Sequence, residues 1–205
     1  LFRSVFIMAE NKPKNIRTQE IMDAAMQVFV KKGFTDTSMS DIMNQTGLSK
    51  GAIYHHYQNK KDLFLSLIDH WQNTHFPDFH QYDDKSLSSS QIFQKFSNEV
   101  SEKFRENPAV FLAELEFWSM ANRDEEVRIK VKKLYGDILN LFENIIKRGI
   151  DSGEFKQLDP KVSALSIMTA IQGIIWFTLF ESNSFKGEKY LKYVMDFIIH
   201  GFLKK

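Results

Sequence analysis

Residues 38–64, SMSDIMNQTGLSKGAIYHHYQNKKDLF, leave this chain few ways to fold. Met39, Ile42, Met43 and Thr46 recur at helical spacing and form one inward stripe. Thr37 or Ser38 can cap that helix, because a hydroxyl there accepts from the free backbone N–H groups of the first turn. Gly47 supplies the left-handed backbone that a tight turn needs. Ser49 can cap a helix of barely two turns with Leu48, Ala52 and Ile53 inward. Asn59 caps a longer helix whose apolar face is Leu63, Phe64, Leu67, Ile68 and Trp71. Two short helices joined by a glycine turn cross steeply. The stretch is predicted to be a helix-turn-helix.

The remainder reads as helical too. Helix one runs from Arg17 through Ile21, Ala24, Ala25, Val28 and Phe29, and Gly33 sits where a left-handed C-cap belongs. Residues 76–90 read as a loop around Pro77, paired Asp and a serine cluster. Helix five spans Ser90 to Glu106 with Phe93, Phe96, Val100 and Phe104 inward. Asn107-Pro108 and Asp159-Pro160 are cap-then-proline pairs that open helices six and eight. After a break at Asn122–Asp124, helix seven runs to about Asp151 through Val127, Val131, Leu134, Ile138, Leu141, Phe142 and Ile145. Gly187 precedes helix nine, which ends near Leu203. No stretch alternates as a strand does. The predicted fold is all-α with nine helices: a helix-turn-helix domain at 12–60 and a second helical domain at 61–205, connected by helix four at about 60–74.

Composition narrows the function classes. The chain has no Cys, which excludes disulfides and thiolate metal sites and suits a reducing cytoplasm. Up to Lys61 there are nine Lys/Arg against five Asp/Glu, and the remainder is slightly acidic. That modest asymmetry supports nucleic-acid binding only weakly by itself and gains weight beside the helix-turn-helix. No nucleophile elbow or phosphate loop is present, so no enzyme and no cofactor is expected. His70, His75 and His80 recur every five residues beside Asp69 and Asp78. Ligands on one helix come at i, i+4, so no metal site is expected. Residues 1–7, LFRSVFI, are apolar but too short for a signal-peptide core or a membrane span. Ahead of Met8 they read as upstream read-through or an unusual start.

From Arg17 to Phe64 the chain closely resembles the DNA-binding domain of TetR-family transcriptional regulators. The match is carried by Ile21, Ala24, Ala25, Phe29, Gly33, Phe34, Thr37 and Ile42, then by Gly47-Leu48-Ser49-Lys50-Gly51-Ala52-Ile53-Tyr54-His55-His56-Tyr57 and Lys60 through Phe64. Met43 and Thr46 stand where alanine is usual, and Tyr57 where phenylalanine is commoner. The residue chemistry agrees with the resemblance. A recognition helix needs a small, polar N-terminal face for the major groove, which Ser49, Lys50 and Gly51 offer, with Tyr54 and His55 also outward. Lys50 is the candidate base reader, since lysine donates to guanine O6 and N7. Thr37, Ser38 and Lys60, at helix starts, are candidate phosphate contacts.

The resemblance implies a homodimer formed by the last two helices. Candidate interface residues are Ile167, Ala170, Ile171, Ile174 and Ile175 on helix eight and Tyr190, Tyr193, Val194 and Phe197 on helix nine. Residues 162–180 carry no charge, yet Ser163, Ser166, Thr169 and Gln172 interrupt them. A helix buried between protein partners is expected rather than a membrane span. The aromatic middle is the candidate effector pocket: Trp71, Phe96, Phe111, Glu114, Phe117, Trp118, Phe142, Met168 and Trp176. Glu114 shares a face with Phe111 and Trp118, and could either hold a lipophilic cation or pair with Arg123 or Arg128. The expected protein is a cytoplasmic, nucleoid-associated homodimeric repressor, released from a palindromic double-stranded operator by a small apolar or aromatic effector. The alternative is an architectural or division-related DNA-binding relative without an inducer, which a cavity filled by side chains would favour.

Overall fold

Apolar spacing and side-chain caps divide this chain into helices at nearly every expected place. A computed structural model describes residues 14–75, 86–180 and 186–204. Residues 76–85 of the expected loop, His80 among them, and residues 1–7 lie outside the described residues. The chain divides into two compact units at Leu67–Ile68, inside one continuous helix.

The first unit contains α1 (Lys14–Asp36), α2 (Met39–Thr46), α3 (Lys50–Tyr54) and the start of α4 (Lys60–His75). Ile21, Ala25, Phe29, Ile42, Ile53, Leu63 and Phe64 are buried in its core. Gly33 has the expected positive φ, 76°, but its ψ of 160° is extended rather than left-handed helical. The chain therefore kinks and resumes as one more turn, which folds Phe34 back against Phe64 (4.8 Å between ring centroids) and Phe29 (5.7 Å). Gly47 is left-handed at φ 67°, ψ 12°, and its N–H closes α2 on the Met43 carbonyl. Asn59 caps α4 as expected, its Oδ1 accepting from the Asp62 N–H at 2.9 Å.

The second unit begins in the second half of α4 and continues through α5 (Ser89–Glu106), a 3₁₀ turn (Pro108–Leu112), α6 (Ala113–Ala121), α7 (Glu125–Asp151), α8 (Pro160–Gln172), α9 (Ile175–Leu179) and α10 (Gly187–Phe202). The helix α7 packs on α5, α6 and α8, and α10 packs on α5 and α8. Their core is aromatic: Phe142 meets Phe96 at 5.0 Å and Phe93 at 5.7 Å, both edge-on. Two predicted helices differ in detail. Pro108 opens a 3₁₀ turn and α6 starts only at Ala113. The predicted eighth helix tightens just after Gly173, where the Ile174, Trp176 and Phe177 N–H groups reach carbonyls three residues back, and resumes as the short α9. Counting α8 and α9 as that one interrupted helix, the described residues hold nine. They contain no strand, only an isolated bridge between Phe155 and Leu203.

Pro160–Phe177 has the length and apolar character of a membrane span among the described residues. Ile167, Ala164 and Ile171 on it are buried against the rest of the unit.

The turn after α7 fastens the start of α5 and the end of α10. The Glu154 carboxylate accepts from the Ser89 and Ser90 N–H groups (2.8 and 3.0 Å) and the Ser90 hydroxyl, capping α5 from a distant part of the chain. Burial alone would push its pKa up, but these hydrogen bonds outweigh that and hold it below the usual carboxylate range. Phe155, 2% exposed, lies against Phe202 at 5.8 Å and directly over Gly149 of α7. A Cβ at Gly149 would stand 2.3 Å from the Phe155 ring. Gly149→Ala is therefore expected to cost about 1–3 kcal/mol of stability through overpacking, in spite of alanine's better helix propensity. Urea unfolding of the variant measures it, and an unchanged midpoint would contradict the close approach.

Candidate nucleic-acid interface and interior cavity

The outer face of the helix-turn-helix follows from its caps. Ser38 caps α2 through a reciprocal box: its Oγ accepts from the Asp41 N–H at 3.1 Å while the Asp41 carboxylate accepts from the Ser38 N–H at 2.8 Å. The Lys32 ammonium, 2.5 Å away, and Ser38 together hold the Asp41 carboxyl well below its ordinary range. Ser49 caps α3, accepting from the Ala52 N–H at 3.3 Å. Ile53 is wholly buried and anchors α3 from behind. That leaves Ser49, Lys50, Gly51, Tyr54 and His55 exposed on one surface. The Lys50 ammonium lies 5.5 Å from the Tyr54 ring centroid. A Cβ at Gly51 would meet nothing within 4 Å, so packing inside the chain does not require glycine there.

Two candidate phosphate contacts are placed elsewhere. Thr37 is 3% exposed, and its hydroxyl donates to the Gly33 carbonyl at 2.7 Å. It fastens the kink between α1 and α2 and does not face outward. The Lys60 ammonium donates to the Phe34 and Thr35 carbonyls at 2.6 and 3.0 Å and sits 4.5 Å over the Phe34 ring. It ties α4 to the turn after Gly33. Sequence spacing put both at helix starts; the kink at Gly33, which created their partners, is a tertiary feature.

The aromatic middle is largely filled. A cavity of about 10 Å³, room for roughly one water, is lined by Val100, Phe111, Glu114, Tyr135, Ile138, Phe142, Met168, Ile171 and Gln172. Of the residues expected around an effector, Phe111, Glu114, Phe142 and Met168 line this cavity. Trp71 and Phe117 are buried against each other instead, 5.8 Å apart, with the Trp71 Nε1–H donating to the Val110 carbonyl. Phe96 packs behind Phe142. Trp118 donates from Nε1 to the Tyr135 hydroxyl at 2.8 Å. Trp176 does not belong to the pocket: it is 64% exposed and leans on Phe180.

Glu114 is 4% exposed and has no arginine partner. Arg128 pairs with Glu125, and Arg123 is exposed. The Glu114 carboxylate accepts instead from the Tyr135 hydroxyl at 2.6 Å and from the Gln172 side chain. Burial pushes its pKa up to about 7, partly countered by those two hydrogen bonds. Burial and the neighbouring Glu114 raise the Tyr135 hydroxyl well above its ordinary value. Neither Tyr135 nor Gln172 was expected at the pocket, and Gln172 stood out only as a polar interruption of the apolar run. Tyr135 falls between Leu134 and Ile138 on the inward side of α7, and that position was its only signal.

Comparison with known proteins agrees with both units. The family model of bacterial regulatory proteins of the tetR family matches residues 21–67. The BetI-type transcriptional repressor C-terminal model matches residues 94–202, more than half of the chain. This chain belongs to the TetR family. An uncharacterized HTH-type transcriptional regulator YfiR of Bacillus subtilis is 29% identical over 75% of this chain and 74% of its own length. The fatty acid metabolism regulator protein of the same organism is 22% identical over 95% of this chain and all of its own length. The crystal structure of the transcriptional regulator FadR from Bacillus subtilis in complex with stearoyl-CoA superposes with a TM-score of 0.76 at 21% identity, covering 90% of this chain and 98% of that one.

In this TetR-family chain the residues expected at a dimer interface divide between two faces. Ile167, Ile171, Ile174 and Ile175 are buried within their own subunit and unavailable to a partner. Tyr190 is half-buried, its hydroxyl donating to the Ala170 carbonyl at 3.0 Å. Ala170 and Val194 are also half-buried, while Tyr193 and Phe197 are exposed. The exposed large apolar residues of these helices are Val162 and Leu165 of α8, Trp176 and Leu179 of α9, Phe180, and Tyr193 and Phe197 of α10. The sequence showed an apolar helix on all sides, and only packing decided which side faced inward.

Proposed function

We propose that this chain is a cytoplasmic homodimeric repressor that binds a palindromic operator and leaves it when a small effector occupies the second unit. The outer face of α3 carries the reading: Ser49, Lys50, Gly51, Tyr54 and His55 are exposed together, behind a buried Ile53. Ser38 at the start of α2 adds a phosphate contact. One recognition helix this short reads too few base pairs alone, so two copies related by a two-fold axis read two half-sites. The exposed apolar face of α8–α10 supports that pairing, since a monomer seldom exposes so many large apolar side chains in one region. The helix α4 carries residues of both units and is the route by which an effector would change the spacing of the two recognition helices.

Lys50→Ala is expected to lower affinity for an operator selected from random duplexes by about tenfold or more, and affinity for random DNA much less. Gel-shift titration measures both. Equal losses on the two DNAs would remove the base-reading role.

The nearly filled cavity favours a second reading, a DNA-binding relative without an inducer. Titrating the operator complex with bound ligands separates the two. Operator affinity that no tightly bound ligand alters would leave the second reading standing.

A further inference from the structure

The interior of the second unit contains a carboxylate whose charge nothing answers. Glu114 is buried, and its two hydrogen-bond donors, the Tyr135 hydroxyl and the Gln172 side chain, are neutral. Among the described residues no Lys, Arg or His side chain pairs with it. A buried carboxylate without a counter-charge is costly, and neutral donors offset only part of that cost. Around it stand the Phe111 and Phe142 rings, Met168 and Ile171, all apolar. A carboxylate set among aromatic rings is complementary to a cation carried on an apolar body.

We infer that this cavity takes an apolar ligand bearing a positively charged nitrogen, with Glu114 as its counter-ion and the Phe111 and Phe142 rings against its body. The inference rests on the effector reading above for its regulatory meaning, but not for its chemistry. An anionic ligand would meet like charge in a low-dielectric site, and a neutral one would gain apolar burial alone. The cavity holds about one water as it stands, so the ligand must open it. Gln172 gives that opening a direction. It is the last residue of α8, immediately before the tightened turn that leads into α9, whose Trp176 and Leu179 are exposed. A nitrogen cation taking the place of Gln172 at the carboxylate releases the end of α8 beside the exposed apolar face.

The test uses three probes with one skeleton and different heads: phenylbutylamine, phenylbutanol and phenylbutanoate, titrated calorimetrically into the full chain at pH 8. The amine is expected to bind at least about tenfold more tightly than either of the others. Glu114→Gln is expected to abolish that preference by weakening the amine while leaving the alcohol unchanged, with circular dichroism confirming the fold. No saturable binding of the amine, a preference for the alcohol or carboxylate, or an amine preference that survives Glu114→Gln would each overturn the assignment. Operator affinity is measured in parallel with each probe. Amine binding through Glu114 that leaves operator affinity unaltered supports the ligand class and defeats the effector reading. Operator release by the alcohol or carboxylate without an amine preference does the opposite.

Discussion

Phe197→Asp is expected to leave a folded monomer that no longer binds a palindromic operator specifically. Phe197 is 79% exposed on α10, so the subunit loses little packing when it is replaced. In a two-fold pairing each copy presents the same patch, and the substitution enters twice. Two carboxylates buried at such an interface, with two aromatic anchors gone, are expected to weaken association by several kcal/mol, on the order of 10³-fold. Sedimentation of parent and variant at micromolar concentration measures the pairing, and a gel shift on the operator measures the consequence. Affinity for random DNA should fall less, because phosphate contacts made by one subunit remain. A variant that stays dimeric would remove the α8–α10 face from the interface and the proposed geometry with it.

Glu114→Gln is expected to stabilise the protein at pH 8 and to lose that advantage toward pH 5. In the folded chain the Glu114 pKa is raised from an ordinary 4.5 to about 7. The native state therefore holds a proton that the unfolded chain has already released between those two values, and stability falls as pH rises through the window. The loss is complete above about pH 7, and the size of the shift puts it on the order of 3 kcal/mol. The amide is nearly the same shape and carries no charge. The groups facing Glu114 are Tyr135 from α7 and Gln172 from α8, with Val100 of α5 and Phe111 of the 3₁₀ turn apolar. Tyr135 is the titratable one, and it stays protonated across the window. Urea midpoints of parent and variant at pH 5, 6, 7 and 8 give the difference curve. A difference that does not change with pH would mean that folding leaves the Glu114 carboxyl unshifted, and one that moves in the parent's favour toward pH 8 would mean that the native state stabilises the ionised carboxylate.

The sequence by itself determined the parts of this protein that depend on neighbours along the chain. Ser38, Ser49 and Asn59 cap helices because their side chains reach N–H groups three residues ahead. Gly47 turns because only its own backbone must adopt positive φ. The outward set Ser49, Lys50, Gly51, Tyr54 and His55 follows once Ile53 is inward, since helical spacing fixes the rest. The tertiary structure decided what depends on distant partners. Thr37 and Lys60 were turned inward by carbonyls that the Gly33 kink exposed. Periodicity could not choose a face for α8, apolar on several sides, and so assigned Ile167, Ile171 and Ile174 to a partner when they serve their own core. Trp176 was sent outward by the interruption at Gly173–Ile174. The surroundings of Glu114 were the least legible of all. Its neighbours Tyr135 and Gln172 lie 21 and 58 positions away, and only the packing of α6, α7 and α8 brings a hydroxyl and an amide, rather than an arginine, to the carboxylate.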